Sequence, residues 1–202
     1  MNAALHYQDS RVEITRLVVG RLDTNVFVAR CRDTGQAVLI DAADEPEQLL
    51  DLCRRLGVGQ VLETHGHNDH IQGVPDVRRA GHEVGVHADD APLLPGHDFL
   101  IGEGSVIEAG RLRLHTFHTP GHTPGSVCFR IEGSPVLFAG DTLFPGGPGA
   151  TRRRGGDFPA IIRSIERLFT LPEETIVMPG HGLDTTIGAE RPHLQEWIDR
   201  GW

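Results

Sequence analysis

Along the first forty residues, apolar and polar side chains alternate with the two-residue period of half-buried strands. Residues 11–20, 25–31 and 36–41 carry this pattern, and Asp33-Thr34-Gly35 between the last two has the composition of a hairpin turn. The period then lengthens. From 44 to 56, Leu49, Leu52, Cys53 and Leu56 fall on one face of a helix that Gly57 ends. The apolar run 58–62 predicts a strand, 70–80 a shorter helix, and 83–87, 105–117, 126–131 and 135–139 further strands. Asp157 is a candidate N-cap for a helix carrying Ile161, Ile162, Ile165, Leu168 and Phe169. A strand at 175–178 and a helix from about 188 to 200 complete the chain. Strands and helices thus alternate in two similar batches, which fits an α/β protein with two sheets face to face and helices outside. No linker or short-period repeat interrupts them, so one domain over residues 1–202 is expected.

Composition narrows the function more than the fold. Hydrophobic content of 39% with 23% charged residues is globular. No run approaches the roughly 20 apolar residues of a membrane span, and the opening MNAALHYQDS lacks the basic and apolar regions of a signal peptide. Cys31, Cys53 and Cys128 are scattered and odd in number, which fits reduced thiols in a cytoplasmic protein. A formal net charge of −9 argues against nucleic acid as a partner. All 19 basic residues are arginines, so an anionic substrate must be gripped by guanidinium or backbone N–H groups.

The chemistry concentrates in Thr64-His65-Gly66-His67-Asn68-Asp69-His70, directly after the strand predicted at 58–62. Neutral imidazole and carboxylate bind borderline divalent ions such as zinc. Four such groups within six residues cannot easily reach one ion, so the spacing points to two neighbouring metals. The ordinary alternative is a polar surface loop in a histidine-rich chain. Three further segments weigh against it: His118-Thr119-Pro120-Gly121-His122-Thr123-Pro124-Gly125-Ser126, Ala139-Gly140-Asp141-Thr142, and Met178-Pro179-Gly180-His181-Gly182. Each puts a ligand-type side chain beside small residues or prolines, and the last two follow an apolar strand directly. A carboxylate at the end of a buried strand is costly unless it is paired or bound to a cation.

In these four segments, their order and their spacing, the chain resembles the metallo-β-lactamase superfamily, and within it the glyoxalase II-like hydrolases. The resemblance runs from about Arg11 to Trp197. It implies the four-layer αβ/βα sandwich and a binuclear site for two divalent ions, zinc foremost, with iron or manganese possible. His65, His67 and His122 would hold the first ion. Asp69, His70 and His181 would hold the second, and Asp141 would bridge both. His118 is left in a supporting or structural role. Asp41 matches an aspartate that braces the metal loop by orienting a ligating imidazole, or else it caps the helix starting near Glu45. His87, at a strand end, more readily serves backbone hydrogen bonding than metal, and His6, His82, His97, His115 and His193 have no counterpart in the motifs.

The implied chemistry is hydrolysis. Two metals sharing a water lower its pKa towards 7 and supply a hydroxide nucleophile, so Asp69 and Asp141 serve catalysis as ligands rather than as general bases. A thiolate leaving group suits zinc, and the leading substrate is therefore an S-acyl derivative of a small thiol. Arg152, Arg153 and Arg154 lie in the loop after Asp141 and are candidates for gripping its anionic part; a solvated basic turn is the alternative. Two departures from glyoxalase II leave glutathione in doubt as that thiol. No C-terminal helical glutathione-binding domain is expected within 202 residues, and Ala150 and Arg152 stand where the family has a lysine and a tyrosine. Among rivals, a β-lactamase would be expected to show cysteine at Asp141, and a lactonase an active-site tyrosine. A persulfide dioxygenase with one iron is the main enzymatic alternative, although Gly149-Ala150-Thr151-Arg152 departs from its G-R-T-D-F. A metal-binding module without catalysis is the remaining one, and the intact ligand set argues against it.

Overall fold

Alternation along the strands decides which layer each residue enters. The computed structural model describes residues 3–201; Met1, Asn2 and Trp202, at the ends of the expected 1–202 extent, lie outside the described residues. One sheet contains β1 (Ala4–Gln8), β2 (Val12–Val19), β3 (Thr24–Cys31), β4 (Ala37–Ile40), β5 (Val58–Leu62), β6 (Glu83–His87) and β7 (Phe99–Ile101), side by side in chain order. Pairing is antiparallel up to β4 and parallel from β4 to β7. The other sheet contains β8 (Val106–Ala109), β9 (Leu112–His118), β10 (Val127–Ile131) and β11 (Val136–Gly140). A small ribbon, β12 (Leu143–Phe144) with β13 (Gly147–Pro148), follows, and β14 (Ile176–Pro179) and β15 (Thr185–Thr186) complete the second sheet in the order β15-β14-β11-β10-β9-β8.

Period two then builds the layers. In β3, Phe27, Ala29 and Cys31 face the second sheet, while Val26 and Val28 face the helices. In β11, Val136 and Phe138 face the first sheet, while Leu137 and Ala139 face the opposite helices. The central core between the sheets joins Ile14, Phe27, Ile40 and Leu62 to Leu114, Phe129, Phe138 and Met178. Outside the first sheet lie α1 (Pro46–Leu56), the single turn α2 (Asn68–Ile71) and α3 (Val74–Arg79); Leu49, Leu52 and Val74 anchor this layer. Outside the second lie α4 (Phe158–Leu168), α5 (Ile187–Glu190) and α6 (Leu194–Arg200), with Ile161, Ile165, Leu168 and Trp197 inward. This is the four-layer αβ/βα sandwich expected. Asp157 caps α4 as predicted, its side chain accepting the Ala160 N–H at 2.8 Å.

Several boundaries differ, each for a local reason. The strand expected over 105–117 is a hairpin, because Gly110 at φ 63° turns the chain between β8 and β9. The helix expected over 70–80 divides at Gly73, whose N–H leaves the helix to bond the carbonyls of Ala42 and Ala43 at 2.8 Å. A Cβ on Gly73 would lie 2.7 Å from Leu49 Cδ1, so the break lets α1 pack closely. The last helix is three pieces, with a 3-10 turn at Arg191–His193 between α5 and α6. Among the described residues, no helix is long and apolar enough to cross a membrane.

Candidate metal centre

The ligand-type residues all come from loops leaving one edge of the two sheets. β5 delivers His65, His67, Asp69 and His70; β9 and the turn before β10 deliver His122; β11 delivers Asp141; and β14 delivers His181. They converge. His65 Nε2 lies 3.1 Å from His67 Nδ1, and that nitrogen lies 2.8 Å from His122 Nε2. On the other side His70 Nε2 and His181 Nε2 are 3.2 Å apart, and Asp69 Oδ2 is 3.2 Å from His181 Nε2. Asp141 stands between the groups, with Oδ2 3.4 Å from His122 and 3.7 Å from His181, and Oδ1 3.5 Å from His70.

Two clusters, His65-His67-His122 and Asp69-His70-His181, therefore each bring three donor atoms within 4.8 Å of one another. Ligands of one tetrahedral ion at about 2.0–2.1 Å stand roughly 3.3 Å apart, close to the spacings above. Asp141 Oδ1 is buried and has no hydrogen-bond partner, which is costly unless a cation takes the place of one. A Cβ on Gly180 would lie 2.3 Å from that oxygen and 2.6 Å from His70 Cε1, so glycine there leaves the pocket clear. By donor chemistry, spacing and the stranded carboxylate, these residues fit two divalent ions.

The outward nitrogens are held as well. His70 Nδ1 is 2.8 Å from Asp41 Oδ2, His122 Nδ1 is 2.7 Å from the Ala150 carbonyl and His181 Nδ1 is 2.9 Å from the Leu22 carbonyl. Donation from those atoms leaves each facing nitrogen its lone pair. Burial and the neighbouring imidazoles hold His65 well below the usual histidine range, and burial, His122 and Arg153 hold His67 at about 4. Both are thus neutral, as ligation requires. His181 and His70 are the exceptions. Burial opposes the charge on both, but Asp69 and Asp141 raise His181, and Asp141, Asp41 and Asp69 raise His70 to about 9. The hydrogen bond with His181 holds Asp69 well below the usual carboxylate range. Without a metal, a proton at His70 supplies part of the positive charge the carboxylates demand.

Asp41 braces and does not cap. It accepts from Thr64 N at 2.7 Å, Thr64 Oγ1 at 2.8 Å and His70, whereas α1 begins after Glu45 with no side-chain cap. His118 touches no ligand-type residue of the cluster, and its role is the structural one, within the turn that carries His122. Its Nε2 bonds the Pro124 carbonyl at 2.9 Å and its ring stacks on His87, with centroids 4.0 Å apart and planes at 12°. Such parallel rings do not aim two in-plane lone pairs at one point, so His87 and His118 are not a convergent ligand pair. Of Arg152, Arg153 and Arg154, only Arg153 lines the cavity of about 510 Å³ that opens on Asp69, His122, Asp141 and His181; Arg152 and Arg154 are not part of its lining. Arg200 of α6 lines it too, unforeseen in the sequence. Cys128 is fully buried and its thiol is pushed up to about 11 by burial, which rules it out as a nucleophile.

Other contributors were also invisible in the sequence. Asn25 in β3 donates its side-chain N–H to the carbonyls of Pro179 and Gly182 at 2.9 and 3.1 Å, and its backbone N–H to Gly180 at 2.7 Å. This fixes the loop of His181. Asparagine in an apolar strand, next to turn residues, was the available signal.

The family model of the metallo-beta-lactamase superfamily matches residues 19–181, which takes in all seven ligand-type residues and Asp41. The chain belongs to that superfamily. An uncharacterized protein of Aquifex aeolicus is 34% identical over 193 residues, covering 86% of this chain and 91% of its own. A hydroxyacylglutathione hydrolase of Rhodospirillum rubrum is 36% identical over 162 residues, covering 79% of this chain but 62% of that enzyme. Among solved structures, the BLEG-1 B3 metallo-beta-lactamase has a TM-score of 0.82 at 32% identity, covering 89% of this chain and 97% of its own. A protein crystallised in a di-iron-bound form scores 0.78 at 34% identity, covering 87% and 96%. ETHE1 from Myxococcus xanthus scores 0.80 at 28% identity, covering 93% and 89%. Most members of this superfamily are hydrolytic metalloenzymes, and the hydrolase relatives support the glyoxalase II-like assignment within it.

Proposed function

We propose that the protein is a binuclear metal-dependent thioesterase acting on S-acyl derivatives of a low-molecular-weight thiol. The observation that carries this reading is the pair of three-donor clusters joined through Asp141, whose buried Oδ1 has no hydrogen-bond partner. His65, His67 and His122 would hold one divalent ion and Asp69, His70 and His181 the other, zinc foremost, with iron or manganese as alternatives. When bound, such ions supply an activated water, a Lewis acid for the carbonyl and a home for the departing sulfur. The chain's own residues do the rest. Asp69 and Asp141 balance charge and keep the imidazoles convergent, Ala150 and Leu22 hold His122 and His181 in orientation, and the cavity walls admit the substrate. Phe144, Pro145 and Pro148 give those walls an apolar side, while Arg153 and Arg200 bring positive charge. Three unpaired, buried cysteines are in keeping with a cytoplasmic setting.

Parallel assays test the reading: thiol release from S-acyl thiols by the zinc-loaded protein, and oxygen uptake by the iron-loaded protein with a persulfide. Thiol release without oxygen uptake is expected. Oxygen consumption at one iron per chain, or hydrolysis of lactams but not thioesters, would replace it with another member's chemistry. Within this reading, Arg153→Ala raises KM for an anionic thioester and leaves kcat nearly unchanged, the pattern of lost uniform binding. Because Arg153 is exposed, its contact is worth roughly 0.2–1 kcal/mol, or about 1.4- to fivefold in KM. Arg152→Ala and Arg154→Ala should leave KM near wild type. Equal responses to charged and uncharged thioesters would reduce Arg153 to a solvated side chain.

A further inference from the structure

One fully buried carboxylate bonds both loops that carry the first cluster, and nothing in the proposed chemistry uses it. Asp90 sits after β6 and is 0% exposed. Its Oδ2 accepts from Gly66 N at 2.7 Å and from Thr123 Oγ1 at 2.6 Å, and its Oδ1 accepts from Gly125 N at 2.8 Å. Gly66 is the residue between His65 and His67. Thr123 is the residue after His122. The carboxylate therefore spans the gap between β5's loop and the turn before β10, at the points where three ligand-type imidazoles leave the backbone.

The packing around it is as tight as the bonding. A Cβ on Gly125 would lie 2.6 Å from Asp90 N and 2.7 Å from its Cβ and Cγ, and one on Gly66 would lie 3.2 Å from the Asp90 carbonyl and 2.8 Å from Leu93. Both glycines of the motifs are thus demanded by close approach to this one side chain and its turn. Thr123 is locked in its turn by Ser126, whose Oγ lies 2.7 Å from Thr123 Oγ1 and accepts from Thr123 N at 3.1 Å. Asp90 forms none of the hydrogen bonds or ion pairs made by Asp69, His70 or His181; that cluster is braced instead by Asp41 through His70.

We infer that Asp90 is a positioning residue for the His65-His67-His122 site, which it holds without touching Asp69, His70 or His181. Asp41, by contrast, bonds His70 directly and reaches the first cluster only through Thr64, whose Oγ1 lies 3.1 Å from His65 Nδ1. This rests on the binuclear reading above. The consequence is that the two ions can be uncoupled from outside the ligand set. In Asp90→Asn, an amide NH2 must face either the Gly66 and Thr123 donors or the Gly125 donor, setting donor against donor. Loss of such an outer partner costs about 10–100-fold in metal affinity.

Zinc titration of the metal-free protein, followed by calorimetry and by Co(II) absorption, reads this without any substrate. Wild type should bind two ions. Asp90→Asn should keep one at native affinity and bind the other about 10–100-fold more weakly. Thr123→Val, which removes one of the three bonds, should give a smaller loss at the same site and decides the matter if Asp90→Asn does not fold. Two ions at native affinity in a folded variant, or equal weakening of both, overturns the inference. A wild type that binds one ion overturns the binuclear reading itself, a separate result.

Discussion

Asp141→Ala is expected to lower kcat/KM for thioester hydrolysis by at least the order of 10²–10³, the range seen when one preorganised electrostatic contact is removed from an active site. Among the described ligand-type residues it alone reaches both clusters as a carboxylate: its oxygens lie 3.4 Å from His122, 3.5 Å from His70 and 3.7 Å from His181. The variant removes the negative charge shared by both and should bind fewer than two zinc ions per chain. Its folding should suffer less than its metal binding, because Oδ1 makes no hydrogen bond and the metal-free fold loses only the charge pairing with His70 at 3.5 Å and His181 at 3.7 Å. Zinc content after dialysis, with kcat/KM on the same sample, checks both halves. Full activity with two ions in this variant would mean that Asp141 is not a shared ligand.

Asp41→Ala should instead destabilise the metal-free fold, by about 3–5 kcal/mol. Its carboxylate accepts Thr64 N, Thr64 Oγ1 and the His70 ring, all buried. Each stranded donor costs about 1–3 kcal/mol, and breaking a buried pair about 3–5. The effect depends on pH. His70 is raised to about 9 by Asp141, Asp41 and Asp69 against the penalty of burial, from an unfolded value near 6.5. A group whose folded pKa is raised gives stability that is complete below 6.5 and is lost as pH rises through 9. His181, raised as well, and buried Glu63, pushed up by burial and by Asp41, add to the alkaline decline. His65 and His67, shifted down, act in the opposite sense at lower pH, so the comparison belongs above 6.5. Urea denaturation of metal-free wild type at pH 6.5 and 9.5 should show the alkaline decline, smaller in Asp41→Ala but not absent, since Asp69 and Asp141 remain. Identical slopes in the two proteins would refute the charged His70–Asp41 pair.

Legibility in the sequence followed the range of the contacts involved. The ligand-type residues could be read because they are crowded into short motifs at strand ends, and β2 to β4 because alternation is local. β1 escaped because Ala4–Gln8 is an edge strand, exposed or half-buried throughout, without the clean period that burial imposes. β7 and the ribbon of β12 and β13 are two or three residues long, too short for any period. The hairpin of β8 and β9 was read as one strand because its apolar residues continue across the turn, which Gly110 alone marks. At the site, Asp90, Asn25 and the Leu22 carbonyl act through bonds spanning 24 or more residues, and only Asn25, a polar residue in an apolar strand, carried any local sign. His118 shows the converse. It shares a motif with His122, but it is the last residue of β9 and turns to His87 and the Pro124 carbonyl instead. Arg152, Arg153 and Arg154 form a run in sequence, yet a turn points neighbours apart, and only Arg153 reaches the cavity.

The proposed thioesterase needs two ions, one per cluster, acting together. Stepwise addition of zinc to the metal-free protein, with thiol release from an S-acyl thiol recorded after each step, tests it most directly. Activity should climb until two equivalents are bound and then level off, with the second equivalent contributing the larger share. A plateau at one equivalent, or two bound ions with no thiol released, would contradict it.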